Sequence, residues 1–163
     1  MMNDLATVFS AEGVFAATIP GYRARVQQLE LANAIGQTIE SRGVLIAEAG
    51  TGTGKTLAYL APALLHGGKV IISTGTKNLQ DQLYRRDLPT VRNALKVPAI
   101  VALLKGRANY VCHYHLERAR EEGRFMSRED VAHLEQVNRF AESSRSGDKA
   151  ELHGVAEDAN IWR

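Results

Sequence analysis

The chain has 163 residues, of which 45% are hydrophobic and 23% are charged, and this suits one globular domain, or one domain and part of another. No apolar run approaches the length of a membrane-spanning helix, and the amino terminus lacks the basic start and apolar block of a secretory signal. The single cysteine excludes an internal disulfide, so we expect a cytoplasmic protein with no membrane partner.

The formal net charge of +2 is unevenly distributed along the chain. Residues 69–107 contain eight Lys or Arg and two Asp or Glu, whereas the stretches on either side carry a small acidic excess. A basic stretch can bind a polyanion, because Lys and Arg contacts to phosphates release counterions. A solvated basic surface is an equally good interpretation of the charge alone.

An amphipathic helix is predicted after the turn signal Pro20-Gly21, with Gly43 at its carboxyl end. Arg25 and Gln28 lie three residues apart and therefore share a face of this helix. A planar amide can both donate and accept at the edge of adenine, so Gln28 is a candidate adenine reader with Arg25 in support. The alternative is that both residues are simply exposed at the start of a helix.

The most informative stretch is the glycine-rich segment 47–56, which reads Ala-Glu-Ala-Gly-Thr-Gly-Thr-Gly-Lys-Thr. It lies between an apolar run and a helix-forming run, and this order of strand, loop, Lys-Thr and helix is typical of a phosphate-binding loop. Glycines let backbone N–H groups turn toward a phosphate, and the helix amino terminus favours an anion. The usual first glycine is replaced by Ala49, and a chance glycine-rich turn is the alternative. The candidate nucleotide-binding residues are Arg25, Gln28, Gly50, Thr51, Gly52, Thr53, Gly54, Lys55 and Thr56.

Lys55 and Thr56 are the candidate catalytic residues of this loop. We expect the Lys55 ammonium to contact the β- and γ-phosphates of a bound nucleotide. We expect the Thr56 hydroxyl to coordinate the Mg²⁺ ion that bridges those phosphates.

Two more strands of the buried type are predicted over residues 69–74 and 99–104, after a helix that Pro62 should kink or end. Strand–helix–strand units of this length imply parallel strands with ligands at their carboxyl ends. Residues 48–56 and 73–77 should then share one edge of the sheet. Thr74, Lys77 and Gln80 are plausible contacts to a nucleic-acid backbone, and helix capping with surface polarity is an equally plausible role.

The rest of the chain is predicted to be mostly helical after a basic loop over residues 105–112. Charged helices are expected at about 113–122 and 128–143, the second opening with Ser127 and Asp130 in a capping box. Cys112, His113 and His115 do not suit a zinc site, because i, i+1 and i+3 spacing does not gather three ligands on one helical face.

Four segments together resemble the amino-terminal part of the DinG/YoaA-type helicases, bacterial relatives of the XPD group of superfamily-two DNA helicases. They are residues 25–28, residues 48–56, residues 72–74 together with 79–83, and residues 104–112. The most specific piece is Lys-Gly-Arg-x-Asn-Tyr-x-Cys in the last segment, because a generic ATPase has no reason to carry it.

The resemblance implies an α/β fold. A parallel-sheet, RecA-like P-loop half-domain is expected over residues 1–107, followed over residues 108–163 by an incomplete, mostly helical iron–sulfur insertion domain. It also implies an ATP-dependent DNA helicase of the DNA-repair type, with ATP and Mg²⁺ as ligands. Single-stranded or forked DNA is the implied partner, together with a replication or repair helper protein, and the implied DNA contacts are Thr74, Lys77, Gln80 and Arg107. Cys112 matches the first of four cysteines that hold a 4Fe–4S cluster in intact family members.

The sequence departs from the family pattern in two ways: it has one cysteine, and the second ATPase motif, Asp-Glu-Ala-His, is absent. We therefore expect the amino-terminal portion of a longer helicase, which binds nucleotide weakly and unwinds nothing alone. Phosphoryl transfer needs a positioned water and charge-neutralising groups that this portion lacks. The alternatives are a small-molecule P-loop kinase and a non-catalytic nucleotide- or nucleic-acid-binding module.

Overall fold

The computed structural model describes residues 5–123, 125 and 127–162. The chain divides into two compact units, one up to Leu103 and one from Leu104, and each is described by itself. The division into domains over residues 1–107 and 108–163 stays a prediction.

The first unit consists of helices joined by irregular segments and turns. Its helices are α1 (Leu5–Phe9), α2 (Val14–Thr18), α3 (Val26–Ser41), α4 (Lys55–His66), α5 (Lys77–Gln82) and α6 (Leu88–Leu95), with a π-helical turn over Leu83–Asp87 between α5 and α6.

Local signals explain most of these boundaries, with two differences from the sequence prediction. Helix α3 ends one residue earlier than expected, because Arg42 takes the left-handed conformation (φ 52°) and Gly43 donates its N–H to the Thr38 carbonyl (2.9 Å). Helix α4 continues through the buried Pro62 to His66, where Gly67 (φ 73°) is the left-handed cap. Packing of the buried proline ring therefore offsets the loss of the one helical hydrogen bond that Pro62, without a backbone N–H, cannot donate.

The predicted parallel sheet, and with it the RecA-like α/β half-domain, is wrong. In the described ranges the only β pairing is an isolated bridge between Tyr110 and Asp148 in the second unit. The three segments expected as strands, residues 44–47, 69–74 and 99–104, form neither helix nor strand, and each leaves an apolar side chain in solvent: Ile46 is 96% exposed, Ile71 97% and Ile100 105%.

The physical reason is that an apolar run alone does not make a strand. A strand needs a neighbouring backbone for its ladder hydrogen bonds, and a parallel sheet needs cover on both faces. Here helices fill the core of the first unit, and within the described residues no other segment pairs with any of the three. The prediction that residues 48–56 and 73–77 share one edge of the sheet is therefore wrong as well.

The core of the first unit lies between the two short amino-terminal helices and helices α3, α4 and α6. Phe9, Phe15, Leu60 and Val91 are completely or almost completely buried there. The rings of Phe9 and Phe15 meet edge to face with centroids 5.0 Å apart, and each buried side chain of this size stabilises the fold by about 1.5–3 kcal/mol. This core joins α1 and α2 to α4, the helix that starts at the glycine-rich loop.

The second unit contains two longer helices, and both fall where the sequence predicts them. They are α7 (His113–Glu122) and α8 (Arg128–Ser143), and 3-10 turns span Arg107–Asn109, Lys149–Glu151 and Asn160–Trp162. The hydroxyl of Ser127 accepts the Asp130 N–H at 3.1 Å, which confirms the Ser127 half of the predicted capping box of α8. None of the helices in the described part of the chain is both long and apolar enough to cross a membrane.

A glycine-rich loop at the start of helix α4 as the candidate functional site

The glycine-rich loop turns directly into helix α4. Gly52 (φ 79°) and Gly54 (φ 80°) both take the left-handed conformation that side chains disfavour, and Gly54 is the cap residue from which α4 begins. A Cβ added at Gly50 or Gly52 would meet no atom within 4 Å, so this part of the loop is open. The loop thus presents open backbone at the positive end of a helix dipole, and this arrangement suits an anion.

Lys55 folds back across the loop. Its ammonium donates to the carbonyl oxygens of Ala49 (2.5 Å) and Gly50 (2.8 Å), and the Thr53 hydroxyl also donates to Gly50 (3.0 Å). The Lys55 side chain is exposed, so these bonds compete with water. A phosphate in the loop could therefore replace the carbonyl oxygens as the partner of this ammonium, and the predicted role of Lys55 stays a prediction.

The Thr56 side chain is hydrogen-bonded to Tyr59, one helical turn further along α4. Burial raises the pKa of Tyr59, the Thr56 hydrogen bond lowers it, and the nearby Asp87 carboxylate raises it. Tyr59 had no recognisable signal in the sequence beyond its apolar helix position. The structure therefore adds a neighbour to the predicted Mg²⁺ ligand.

Gln28 lies against the loop, although it is 26 residues away from Gly54 in sequence. Its side chain is buried, with the residue only 3% exposed, and its Nε2 donates to the Gly54 carbonyl at 2.9 Å. Its Oε1 accepts from the Tyr22 hydroxyl at 3.2 Å. Arg25, by contrast, is exposed at the start of α3. Both ends of the Gln28 amide are thus engaged within the protein, and adenine reading stays a prediction for it.

The candidate DNA contacts of the first unit lie around the start of α5. The Thr76 hydroxyl caps this helix by accepting the Leu79 N–H (3.2 Å), and the Thr74 hydroxyl donates to the Thr76 carbonyl (3.3 Å). Lys77 is exposed and Gln80 half-buried in the first turns of α5. The cap of α5 is thus supplied by Thr76, which is not one of the candidates, and the roles of Thr74, Lys77 and Gln80 in DNA contact or in capping stay predictions.

Arg107 and Cys112 belong to the second unit, where both are exposed. They border a cavity of about 780 Å³ whose lining includes Trp162, and the Lys149 ammonium lies 4.3 Å from the centroid of that ring. No group of three or more His, Cys, Asp or Glu side chains within the described residues is arranged to hold a metal ion. One thiol does not meet the four-thiolate requirement of an iron–sulfur cluster.

Comparison with known proteins identifies the family. Residues 26–114 match the family model of the DEAD/DEAH box helicases. The chain is 48% identical over 159 residues to the ATP-dependent DNA helicase YoaA of Haemophilus influenzae, covering 98% of this chain and 25% of the relative. It is 47% identical over 154 residues to YoaA of Escherichia coli, covering 94% and 24%. A Bacillus subtilis protein named 3'-5' exonuclease DinG is 32% identical over 155 residues, covering 93% and 16%.

No solved structure matches the chain significantly. The chain spans about a quarter of the length of the two YoaA relatives. Because the family match extends over more than half of its residues, the chain belongs to the DEAD/DEAH box helicase family, as a homologue of the YoaA/DinG helicases.

Proposed function

We propose that this chain is the nucleotide-binding part of an ATP-dependent DNA helicase, and that the glycine-rich loop holds the triphosphate of ATP. The observation that carries the proposal is the continuity of the left-handed Gly52 and Gly54 with the amino terminus of α4, with Lys55 as its first residue. Membership of the helicase family supports this function over the small-molecule kinase alternative.

The loop residues have distinct roles in this proposal. The open backbone at Gly50 and Gly52 leaves room for phosphate oxygens, which the N–H groups at the start of α4 would bind. Lys55 would exchange its carbonyl partners for the β- and γ-phosphates, and Thr56 would hold Mg²⁺. The metal ion supplies positive charge that bridges these phosphates. Gln28 and Arg25 would face the adenine end, with Gln28 giving up one of its present hydrogen bonds.

DNA would bind through Thr74, Lys77 and Gln80 in the first unit and Arg107 in the second. Lys77 and Arg107 are exposed, and both belong to the stretch with eight basic and two acidic residues. Single-stranded DNA fits this chemistry because its phosphates need cations whatever the base sequence.

The chain does not by itself fit an iron–sulfur cluster. Cys112 is its only cysteine, and the described residues offer no further thiolate ligand. We therefore propose Cys112 as a cluster ligand only in a protein that supplies three more cysteines, and no step of the proposed function depends on the cluster.

The isolated chain should bind ATP but neither hydrolyse it at a useful rate nor unwind DNA. The Asp-Glu-Ala-His motif that would hold Mg²⁺ and orient the attacking water does not occur in the sequence. Because phosphoryl transfer depends on positioning and charge neutralisation, binding without these groups gives little turnover.

The loop is tested by titrating a fluorescent ATP analogue, with Mg²⁺, into the native chain and into Lys55→Ala. We expect the variant to bind at least tenfold more weakly, a loss of about 1.4 kcal/mol. Lys69→Ala is the matched control, since Lys69 is also exposed but lies outside the loop. Equal affinity of the native chain and Lys55→Ala would remove Lys55 from the site, and DNA-independent phosphate transfer to a small metabolite would favour a kinase.

DNA contact is tested by the salt dependence of oligonucleotide binding. Lys77→Gln and Arg107→Gln should each weaken binding uniformly across sequences and reduce the slope of log affinity against log salt by about 1. Arg145→Gln is the control, because Arg145 is exposed in the second unit outside the proposed contacts. An unchanged slope in both variants would place the DNA elsewhere.

A further inference from the structure

The Tyr22 hydroxyl lies between two acceptors from different parts of the first unit. It is 2.8 Å from the Phe9 carbonyl oxygen, at the end of α1, and 3.2 Å from Oε1 of Gln28 in α3. Its ring packs edge to face against Phe15, with centroids 5.9 Å apart. Burial raises the pKa of Tyr22, with Arg25 acting in the opposite direction, so the hydroxyl keeps its proton at neutral pH and can donate.

The orientation of the Gln28 amide follows from its partner on the loop. The Gly54 carbonyl can only accept a hydrogen bond, so the NH₂ group of Gln28 must face it, and the amide oxygen must face Tyr22. Because Gln28 is almost completely buried, no water competes for either end.

Contact between Gln28 and Gly54 is also sterically close. A Cβ at Gly54 would lie 2.0 Å from Nε2 of Gln28. The Gly54 carbonyl accepts the first hydrogen bond of α4, from Ala58 N–H at 3.2 Å, in addition to that from Gln28. The amide therefore fixes the residue at which the loop becomes a helix.

We propose that Tyr22 is a positioning residue of the nucleotide site: its hydroxyl fixes the amide of Gln28, which in turn holds Gly54 at the end of the phosphate-binding loop. The single hydroxyl hydrogen of Tyr22 is shared between the Phe9 carbonyl (2.8 Å) and Oε1 of Gln28 (3.2 Å), so α1 is linked to the loop by a branched contact at Tyr22, followed by Gln28 and Gly54. The short amino-terminal helices are on this account part of the nucleotide site, although they lie far from the loop in sequence. Of the two measurements that follow, the nucleotide affinity rests on the proposed ATP-binding function, whereas the hydrogen exchange of the loop does not.

The first measurement is amide hydrogen exchange over residues 50–56 in the nucleotide-free protein. Tyr22→Phe keeps the ring and removes the hydroxyl, so exchange there should become roughly 2- to 10-fold faster, the effect of one lost hydrogen bond. Gln28→Met should have the same effect. Because Tyr22 acts on the loop through Gln28, Tyr22→Phe in the Gln28→Met background should add no acceleration confined to the loop, although it still removes the hydrogen bond to the Phe9 carbonyl.

Val91→Ala is the control for general destabilisation. Val91 is completely buried in the same core and carries no polar side-chain group. This variant should raise exchange throughout the first unit without singling out the loop. If Tyr22→Phe leaves loop exchange unchanged, raises it only in proportion to the rest of the unit, or acts additively with Gln28→Met, the positioning role is overturned.

The second measurement is the affinity of native protein and Tyr22→Phe for MgATP and for inorganic tripolyphosphate. The effect through the loop should lower the affinity for tripolyphosphate roughly 2- to 10-fold, and the affinity for MgATP should fall at least as much, because Gln28 is also the proposed adenine contact. A native chain that binds neither ligand would overturn the proposed function, while loop exchange would still decide the role of Tyr22. If the native chain binds MgATP and tripolyphosphate but Tyr22→Phe leaves hydrogen exchange of the loop unchanged, the proposed function is retained and the positioning role is rejected.

Discussion

Lys105 and Asp148 form an ion pair that is almost completely removed from solvent. The Nζ–Oδ2 distance is 2.7 Å, and the side chains are 2% and 5% exposed. The other carboxylate oxygen of Asp148 accepts the Ala150 N–H (3.0 Å), and the Tyr110 hydroxyl accepts the Lys105 N–H (2.9 Å). Lys105 and Tyr110 belong to the Lys-Gly-Arg-x-Asn-Tyr-x-Cys segment, so this segment helps to organise the second unit as well as marking the family.

Breaking this pair should strongly destabilise the second unit. Asp148→Asn leaves the Lys105 ammonium buried without a charged partner, and we expect a loss of about 3–5 kcal/mol in the free energy of unfolding. The measurement is urea denaturation followed by the fluorescence of Trp162, the only tryptophan, which lies in this unit.

The control for this prediction is the double variant Lys105→Met with Asp148→Leu. It removes both charges and retains apolar volume, so it should be much less destabilised than either single charge removal. If Asp148→Asn unfolds at the same urea concentration as the native protein, the buried ion pair contributes nothing to stability.

Of the two left-handed glycines of the loop, Gly52 and Gly54, Gly54 should be the more sensitive to substitution by alanine. Gly54→Ala combines backbone strain at φ 80° with a Cβ only 2.0 Å from Gln28 Nε2, whereas Gly52→Ala has similar strain at φ 79° and open space. Strain of this kind costs about 1–3 kcal/mol, so Gly52→Ala should show that loss alone and Gly54→Ala a clearly larger one.

Thermal and urea unfolding of both glycine variants measure the difference. Gly52→Ala is the matched control, because the substitution and the backbone angle are nearly the same. Equal losses in the two variants would show that the close contact between Gly54 and Gln28 relaxes without cost.

Tyr59 gives a pH-dependent prediction. Its pKa in the folded protein is raised above the ordinary value of 10.0, chiefly by burial. The unfolded state therefore loses its phenol proton first as the pH rises, so the stability contributed by Tyr59 is fully present below that ordinary value and is lost as the pH rises through the folded pKa.

Tyr59→Phe removes this titration while keeping the ring. The fall in the free energy of unfolding between about pH 9 and about pH 11 should therefore be smaller in Tyr59→Phe than in the native protein. Tyr114→Phe, at an exposed ring, is the matched control for the substitution itself. An identical alkaline fall in native protein and Tyr59→Phe would contradict the burial of the Tyr59 hydroxyl.

The helices could be predicted because they depend on residues close together in sequence. Strand pairing and the contacts of the functional site could not, because they depend on residues far apart in sequence. The Ser127 cap and the apolar spacing after it depend on residues a few positions apart, and α8 falls where they indicate. The apolar run over residues 69–74 favours a strand locally, but pairing depends on a neighbouring backbone that no local pattern supplies. Contacts such as Gln28 with Gly54 and Lys105 with Asp148 join residues distant in sequence. Grouping Gln28 and Gly54 in one nucleotide site did not predict their direct hydrogen bond, and no pattern indicated the Lys105–Asp148 pair.

The cap of α8 yields a prediction that tests one of these local signals directly. The Ser127 hydroxyl accepts the Asp130 N–H at 3.1 Å, and α8 carries Leu134 and Val137 into the core of the second unit. Ser127→Ala leaves an N–H group of the first turn without its side-chain acceptor and should lower the free energy of unfolding by about 1 kcal/mol. Ser127→Asp retains an acceptor and adds negative charge at the helix amino terminus, so it should be as stable as the native protein or slightly more stable. Urea denaturation followed by Trp162 fluorescence checks both variants, and an alanine variant as stable as the aspartate variant would show that the cap is dispensable for this helix.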